Sequence, residues 1–233
     1  MRVRSVLVSG LVAMSALVLS MTPAAAVGPV TESGGAVANG PTARELLAKV
    51  NGCEQISQGK YAKDAGGTAD IPVCGKKGAV FWKADMDIDC DGQATAECNG
   101  RTDPSFQPQT ACVRSDGRPL VASRLPYIVV PGVSSRWSYK ESGIGCGTVG
   151  AVVHKDKVVY GVIGDVGPKS IIGEASYALA KKLGVNPDPR TGGVGSGVTY
   201  IVFNGGGKAE PVEDSGAADR LGRELARKFV ANN

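Results

Sequence analysis

Residues 150–168 read GAVVHKDKVVYGVIGDVGP, and this stretch decides the fold. Two runs rich in β-branched residues, 148–153 and 157–163, flank a polar His-Lys-Asp turn, so the spacing predicts a hairpin. The second run stops at Gly164-Asp165-Val166-Gly167-Pro168, which sets a carboxylate at a strand end among glycines that let other groups approach. Working outward, further strands are predicted over 79–83, over 127–130 before Pro131-Gly132, and over 198–203. Helices are predicted over 44–50, capped by Thr42 and ended by Asn51-Gly52, over 173–183 with Gly184 as its stop, and over 215–231. In the last of these Leu221, Leu225, Phe229 and Val230 share one face. No repeat of fixed period is present. Short strands with a few helices make the class mainly β or α+β.

The N-terminus sets the compartment. Arg2 and Arg4 precede an uncharged apolar stretch from Val6 to Met21, and Ala24-Ala25-Ala26 has the small-residue pattern of a signal peptidase site. Residues 1–26 are therefore read as a signal peptide and 27–40 as a flexible lead-in. Residues 41–233 are read as a single catalytic domain. Serines and glycine interrupt the apolar run, which argues against a membrane anchor. The mature protein is expected to be extracellular, with no membrane association. Without Arg2 and Arg4 the net charge falls from +4 to about +2, too mild to suggest a nucleic-acid partner. All six cysteines lie beyond residue 26, and an even count in an exported chain reads as up to three disulfides whose pairing is open.

Several chemistries are disfavoured. Nothing calls for a cofactor or a metal: no C-x-x-C pair occurs, and His154, the only histidine, stands in a polar turn. That same isolation removes the base a serine triad needs. The glycine-rich loops at 191–197 and 204–207 do not match a phosphate loop and are read as rims of a cleft. Carboxylates remain, and they suit glycosidic cleavage: one protonates the leaving oxygen while the other activates water or attacks.

Two acidic clusters qualify. In DMDIDCDG at 85–92, alternate spacing on an extended segment puts Asp85, Asp87, Asp89 and Asp91 on one face. A calcium loop opening at Asp87 is the rival reading, but its twelfth position would be Cys98 rather than an acid. A negative surface for a cationic ligand fits better. In the second cluster Asp165 ends a strand and Glu174 begins the helix at 173, where the bland readings are a turn former and a first-turn acid.

At these residues the chain resembles the family 75 glycoside hydrolases, the chitosanases first known from filamentous fungi. The likeness runs from about Ala79 to Gly205. It comprises DMDIDCDG at 85–92, DPSFQPQTA at 103–111, LPYIVVPG at 125–132, the opening stretch at 150–168 and IGEAS at 172–176. The resemblance implies endo-cleavage of β-1,4-linked glucosamine polymers with inversion, and the family's essential Asp and Glu fall on Asp165 and Glu174. Chitosan or partially deacetylated chitin is the implied partner of a monomer. The strand, GDxGP turn and short helix also resemble double-psi barrel enzymes, which implies a small six-stranded β-barrel with peripheral helices. On this reading Glu174 is general acid and Asp165 general base. Asp85, Asp87, Asp89 and Asp91 meet sugar ammonium groups, and Tyr160, Trp82 or Trp137 stack on sugar faces. A non-hydrolytic, expansin-like binding module is the alternative.

Overall fold

A computed structural model describes residues 40–233; the expected signal peptide and the expected lead-in, up to residue 39, lie outside the described residues. Eight strands form one sheet: β1 (Glu54–Gln55), β2 (Cys74–Lys76), β3 (Ala79–Asp89), β4 (Tyr127–Pro131), β5 (Val149–His154), β6 (Lys157–Gly167), β7 (Glu174–Ser176) and β8 (Val194–Val202). Their order is β1-β2-β3-β7-β4-β6-β5-β8, and a further β3–β8 pairing closes six of them into a ring. The structure is thus mainly β, a closed six-stranded barrel with β1 and β2 appended to β3. Three helices accompany it: α1 (Ala43–Lys49), α2 (Tyr177–Leu183) and α3 (Ser215–Asn232). No helix among the described residues is long and apolar enough to cross a membrane.

Alternation along the strands sorts side chains into two apolar clusters. Every strand of the ring contributes to one of them, including Trp82 and Met86 of β3, Ile128 of β4, Ile163 of β6, Ala175 of β7 and Tyr200 of β8, and this cluster fills the barrel. Trp82 and Tyr200 stack there with centroids 5.3 Å apart. The other cluster joins the outer face, with Phe81, Val129 and Val162, to α1 and α3 through Leu46, Leu225 and Phe229. On β3 the even positions point inward, while Asp85, Asp87 and Asp89 share the outer face with Phe81.

Local signals are realised where they suffice. Thr42 caps α1 in a reciprocal capping box with Glu45, and the hairpin closes through Lys155-Asp156, with Lys155 at φ 56°. Three expectations need correction. The helix predicted from residue 173 starts at Tyr177, because Ser176 caps it by accepting from the Leu179 amide at 3.2 Å, and Glu174–Ser176 instead pair with both β3 and β4. Glu174 is therefore a strand residue and not a first-turn helix acid. Strand β4 continues through Pro131, which pairs with Gly167 across an edge needing no Pro N–H. Of the two glycine-rich loops only the first reaches the cleft described below; Gly205 and Gly206 lie against Leu225 and Phe229 of α3.

All six cysteines are paired, as Cys53–Cys74, Cys90–Cys98 and Cys112–Cys146.

Candidate active site

Sheet register builds the site. Asp87 of β3 is the neighbour of Glu174 on β7, Glu174 of Val129 on β4, and Val129 of Asp165 on β6. These four residues form one row across the outer face of the barrel. Asp165 reaches that row through an irregularity. Ile163 faces the barrel interior opposite Ile128, so simple alternation would send Asp165 inward as well. The register shifts by one residue between Ile128 and Val129, leaving Gly164 as the extra residue and turning Asp165 outward. Gly164 has no room for a side chain: a Cβ there would sit 2.6 Å from Tyr127 Cβ and 2.9 Å from Leu120 Cδ1.

Two of the three row carboxylates, Glu174 and Asp165, are held differently. Asp165 is buried, and its Oδ1 accepts from the Ala111 amide at 2.8 Å and the Val166 amide at 2.7 Å. Burial pushes its pKa up, while the two N–H groups pull it back toward the ionised form. Glu174 accepts no such amides. Burial first, then the charges of Asp87, Asp91, Asp165 and Asp103, push its pKa up to about 7. Gly167 leaves space beside it, since a Cβ there would lie 3.1 Å from Glu174 Oε2.

Further acids surround the pair. Oxygens of Asp89, Asp91 and Asp165 lie within 4.8 Å of one another. Asp89 is buried, its Oδ1 accepts from the Asp91 amide at 2.6 Å, and burial with the Glu174 and Asp165 charges holds its carboxyl well above the usual range. Asp91 Oδ1 accepts from the Gln107 amide at 2.7 Å, and burial raises this carboxyl to about 6. Behind them the buried Tyr127 hydroxyl donates to the Asp91 carbonyl at 3.2 Å. A cleft of about 320 Å³ opens over Asp87, Asp89, Asp91, Asp103, Glu174 and Arg190. Arg190 spans it at one side, donating to the carbonyls of Thr102 at 2.9 Å and Arg101 at 2.6 Å. Asp103 and Arg190 escaped the sequence reading; Asp103 had a signal, as the first residue of the DPSFQPQTA block.

The other expected site residues sit elsewhere. Asp85 is on the outer face but buried, raised to about 6 by burial and the Asp87 charge, and belongs to a second group of close carboxylates with Asp64 and Asp87. This division also removes the calcium-loop reading: extended β3 sends Asp87 to one group and Asp89 with Asp91 to the other. Tyr160 is not brought to the cleft. It is buried under α3, where a Cβ on Gly222 would meet its ring and the Arg223 guanidinium lies 5.7 Å from the ring centroid. Trp82 and Trp137 are buried in the apolar cluster that includes the barrel interior.

A cleft lined by carboxylates, with Glu174 retaining its proton near neutrality and Asp165 held by amides two strands away in the same row, is equipped for acid–base hydrolysis. The profile described as fungal chitosanase of glycosyl hydrolase group 75 matches residues 86–228, more than half of the chain and all of the row. The chain belongs to glycosyl hydrolase group 75. It is a glycoside hydrolase. This group 75 enzyme is 31% identical over 217 residues to Endo-chitosanase B of Aspergillus oryzae, covering 77% of its own length and 90% of that relative. It is 34% identical over 148 residues to an Endo-chitosanase of Aspergillus fumigatus, covering 58% of each. With Endo-chitosanase C of Aspergillus oryzae it shares 34% identity over 134 residues, spanning 33% of that longer protein.

Proposed function

We propose that the protein is a secreted, endo-acting chitosanase that hydrolyses β-1,4 bonds between glucosamine units with inversion, Glu174 serving as general acid and Asp165 as general base. The observation that carries this reading is the row Glu174–Val129–Asp165. Two strand spacings separate the acids, about 9.6 Å between backbones. Inversion needs roughly 6.5–9.5 Å between the carboxyl groups to leave room for a water, against roughly 5 Å for a nucleophile–acid pair, and acids on next-but-one strands are compatible with the wider gap.

In this scheme Glu174 gives its proton to the glycosidic oxygen as the bond from that oxygen to the anomeric carbon breaks. A water attacks that carbon from the opposite face and passes its proton to Asp165. Glucosamine has no N-acetyl carbonyl, so both roles fall to protein groups. The retained proton on Glu174 and the two amides on Asp165 support this division of labour.

Substrate choice follows from charge. Asp87, Asp89, Asp91 and Asp103 give the cleft a negative potential that attracts the ammonium groups of chitosan or partially deacetylated chitin. An expansin-like module would need only one of Glu174 and Asp165, so their joint presence favours hydrolysis.

The deciding experiment is proton NMR of the first reducing ends released from chitosan. The α-anomer is expected at early times. Initial β-anomer would overturn the mechanism, and no reducing ends at all would overturn the function.

A further inference from the structure

We infer that Asp64, Asp85 and Asp87 form a calcium site beside the hydrolytic pair, sharing Asp87 with the row. Oxygens of the three carboxylates lie within 4.8 Å of one another. Ligands of one calcium ion, each about 2.3–2.6 Å from the centre, show that spread. Acids crowd this whole face, so proximity alone would carry little.

Asp85 supplies the independent observation. Its side chain is 4% exposed, and its Oδ1 has no hydrogen-bond partner although two further carboxylates stand beside it. A buried carboxylate is tolerated when it is paired or coordinates a metal. Lys63 approaches Asp64 at 3.9 Å with its side chain half in solvent, and among the described residues no ion pair reaches Asp85 or Asp87.

The backbone reserves space for this carboxylate. Gly173, at φ 123°, lies directly against Asp85 Oδ1, and a Cβ on it would overlap that oxygen. Asp64 is delivered by a loop fixed at its base, where the Ala62 amide donates to Ser170 and the Ala62 carbonyl accepts from Ile172, both at 3.0 Å. An ion would tie this loop to β3. The donors are all oxygen, which selects a hard cation, and an irregular set of three carboxylates completed by water suits calcium better than the near-octahedral demand of magnesium.

The test uses the whole secreted enzyme, stripped with EDTA, dialysed, and titrated with calcium chloride by calorimetry and by thermal unfolding. One ion per chain and a saturable rise in Tm are expected, with weaker binding of magnesium. Asp64→Asn alters an exposed side chain, so it should leave the calcium-free Tm unchanged while weakening calcium binding about tenfold or more. The inference is overturned by absence of saturable binding, or by binding that survives Asp64→Asn. It also fails if Asp91→Asn alone abolishes binding, which would place the ion on the Asp89, Asp91 and Asp165 group. Chitosan hydrolysis is read separately, so failure of the ion site leaves the hydrolytic proposal standing.

Discussion

Glu174 and Asp165 stand in one transverse row of the barrel with a single residue, Val129, between them. Each carboxylate is thus carried by a different strand, and the two are expected to fail independently. Glu174→Gln and Asp165→Asn should each lower kcat on chitosan by about 10²- to 10⁴-fold, the usual contribution of a general acid or base. Both variants should keep the wild-type fold by circular dichroism. Retention of substantial activity in either one would remove that residue from the reaction.

The acid cluster makes stability depend on pH in an unusual direction. Glu174 is raised to about 7, and Asp85 and Asp91 to about 6, against an ordinary value near 4 in the unfolded chain. The folded protein therefore binds more protons than the unfolded chain between these limits. The stabilisation is full below about pH 4 and is lost as pH rises through 6 and 7. The urea midpoint should be higher near pH 5 than near pH 8, and Glu174→Gln should flatten the upper part of that slope. The same titration should make kcat fall as pH rises above about 7, because the donor then loses its proton.

Gly164 is the pivot that turns Asp165 outward. Gly164→Ala should lower stability by about 1–3 kcal/mol, the range for overpacking a filled site, because Tyr127 Cβ and Leu120 have little freedom to retreat. Activity should fall with it, since relief of the clash moves the strand that bears Asp165. Denaturant unfolding and initial rates on the same sample check both effects.

The disulfides should not be equivalent. Cys112 follows Ala111, whose amide holds Asp165, and the Cys112 amide itself donates to the Gly164 carbonyl at 3.1 Å. Removing Cys112–Cys146 by double alanine substitution should cost about 2–5 kcal/mol and also depress kcat. The matched removal of Cys53–Cys74, distant in sequence from Glu174 and Asp165, should cost stability with little change in kcat.

Tyr160→Phe is the control for aromatic stacking. The hydroxyl is buried without a partner under α3, so its removal should leave KM for chitosan unchanged and stability equal or slightly higher. A raised KM would mean that Tyr160 does meet the sugar.

Much of this was legible in the chain because much of it is local. The hairpin around Lys155-Asp156, the Thr42 cap and the apolar face of α3 depend on neighbours a few residues away. Strand β7 was not legible: three residues have no period of their own, and Glu174–Ser176 become a strand only because β3 and β4 offer edges on both sides. Asp165 could be picked out as a residue but not aimed, since one bulge reverses its direction. Asp64, Asp103 and Arg190 come from separate loops, and only the closed barrel shows what they face. Tyr160 drew attention as an aromatic beside the GDVGP turn, yet the partner that covers it lies sixty residues onward in α3.

The insertion of β7 between β3 and β4 has a consequence for how this chemistry can evolve. The separation of the two backbone positions is counted in sheet spacings of about 4.8 Å, set by main-chain hydrogen bonds rather than by loops. Gradual drift of side chains cannot halve it. On the proposed mechanism, a lineage leaving inversion for retention would have to place a carboxylate on a neighbouring strand, and Val129, buried among the apolar residues of the outer face, is the row position where a single substitution would do so.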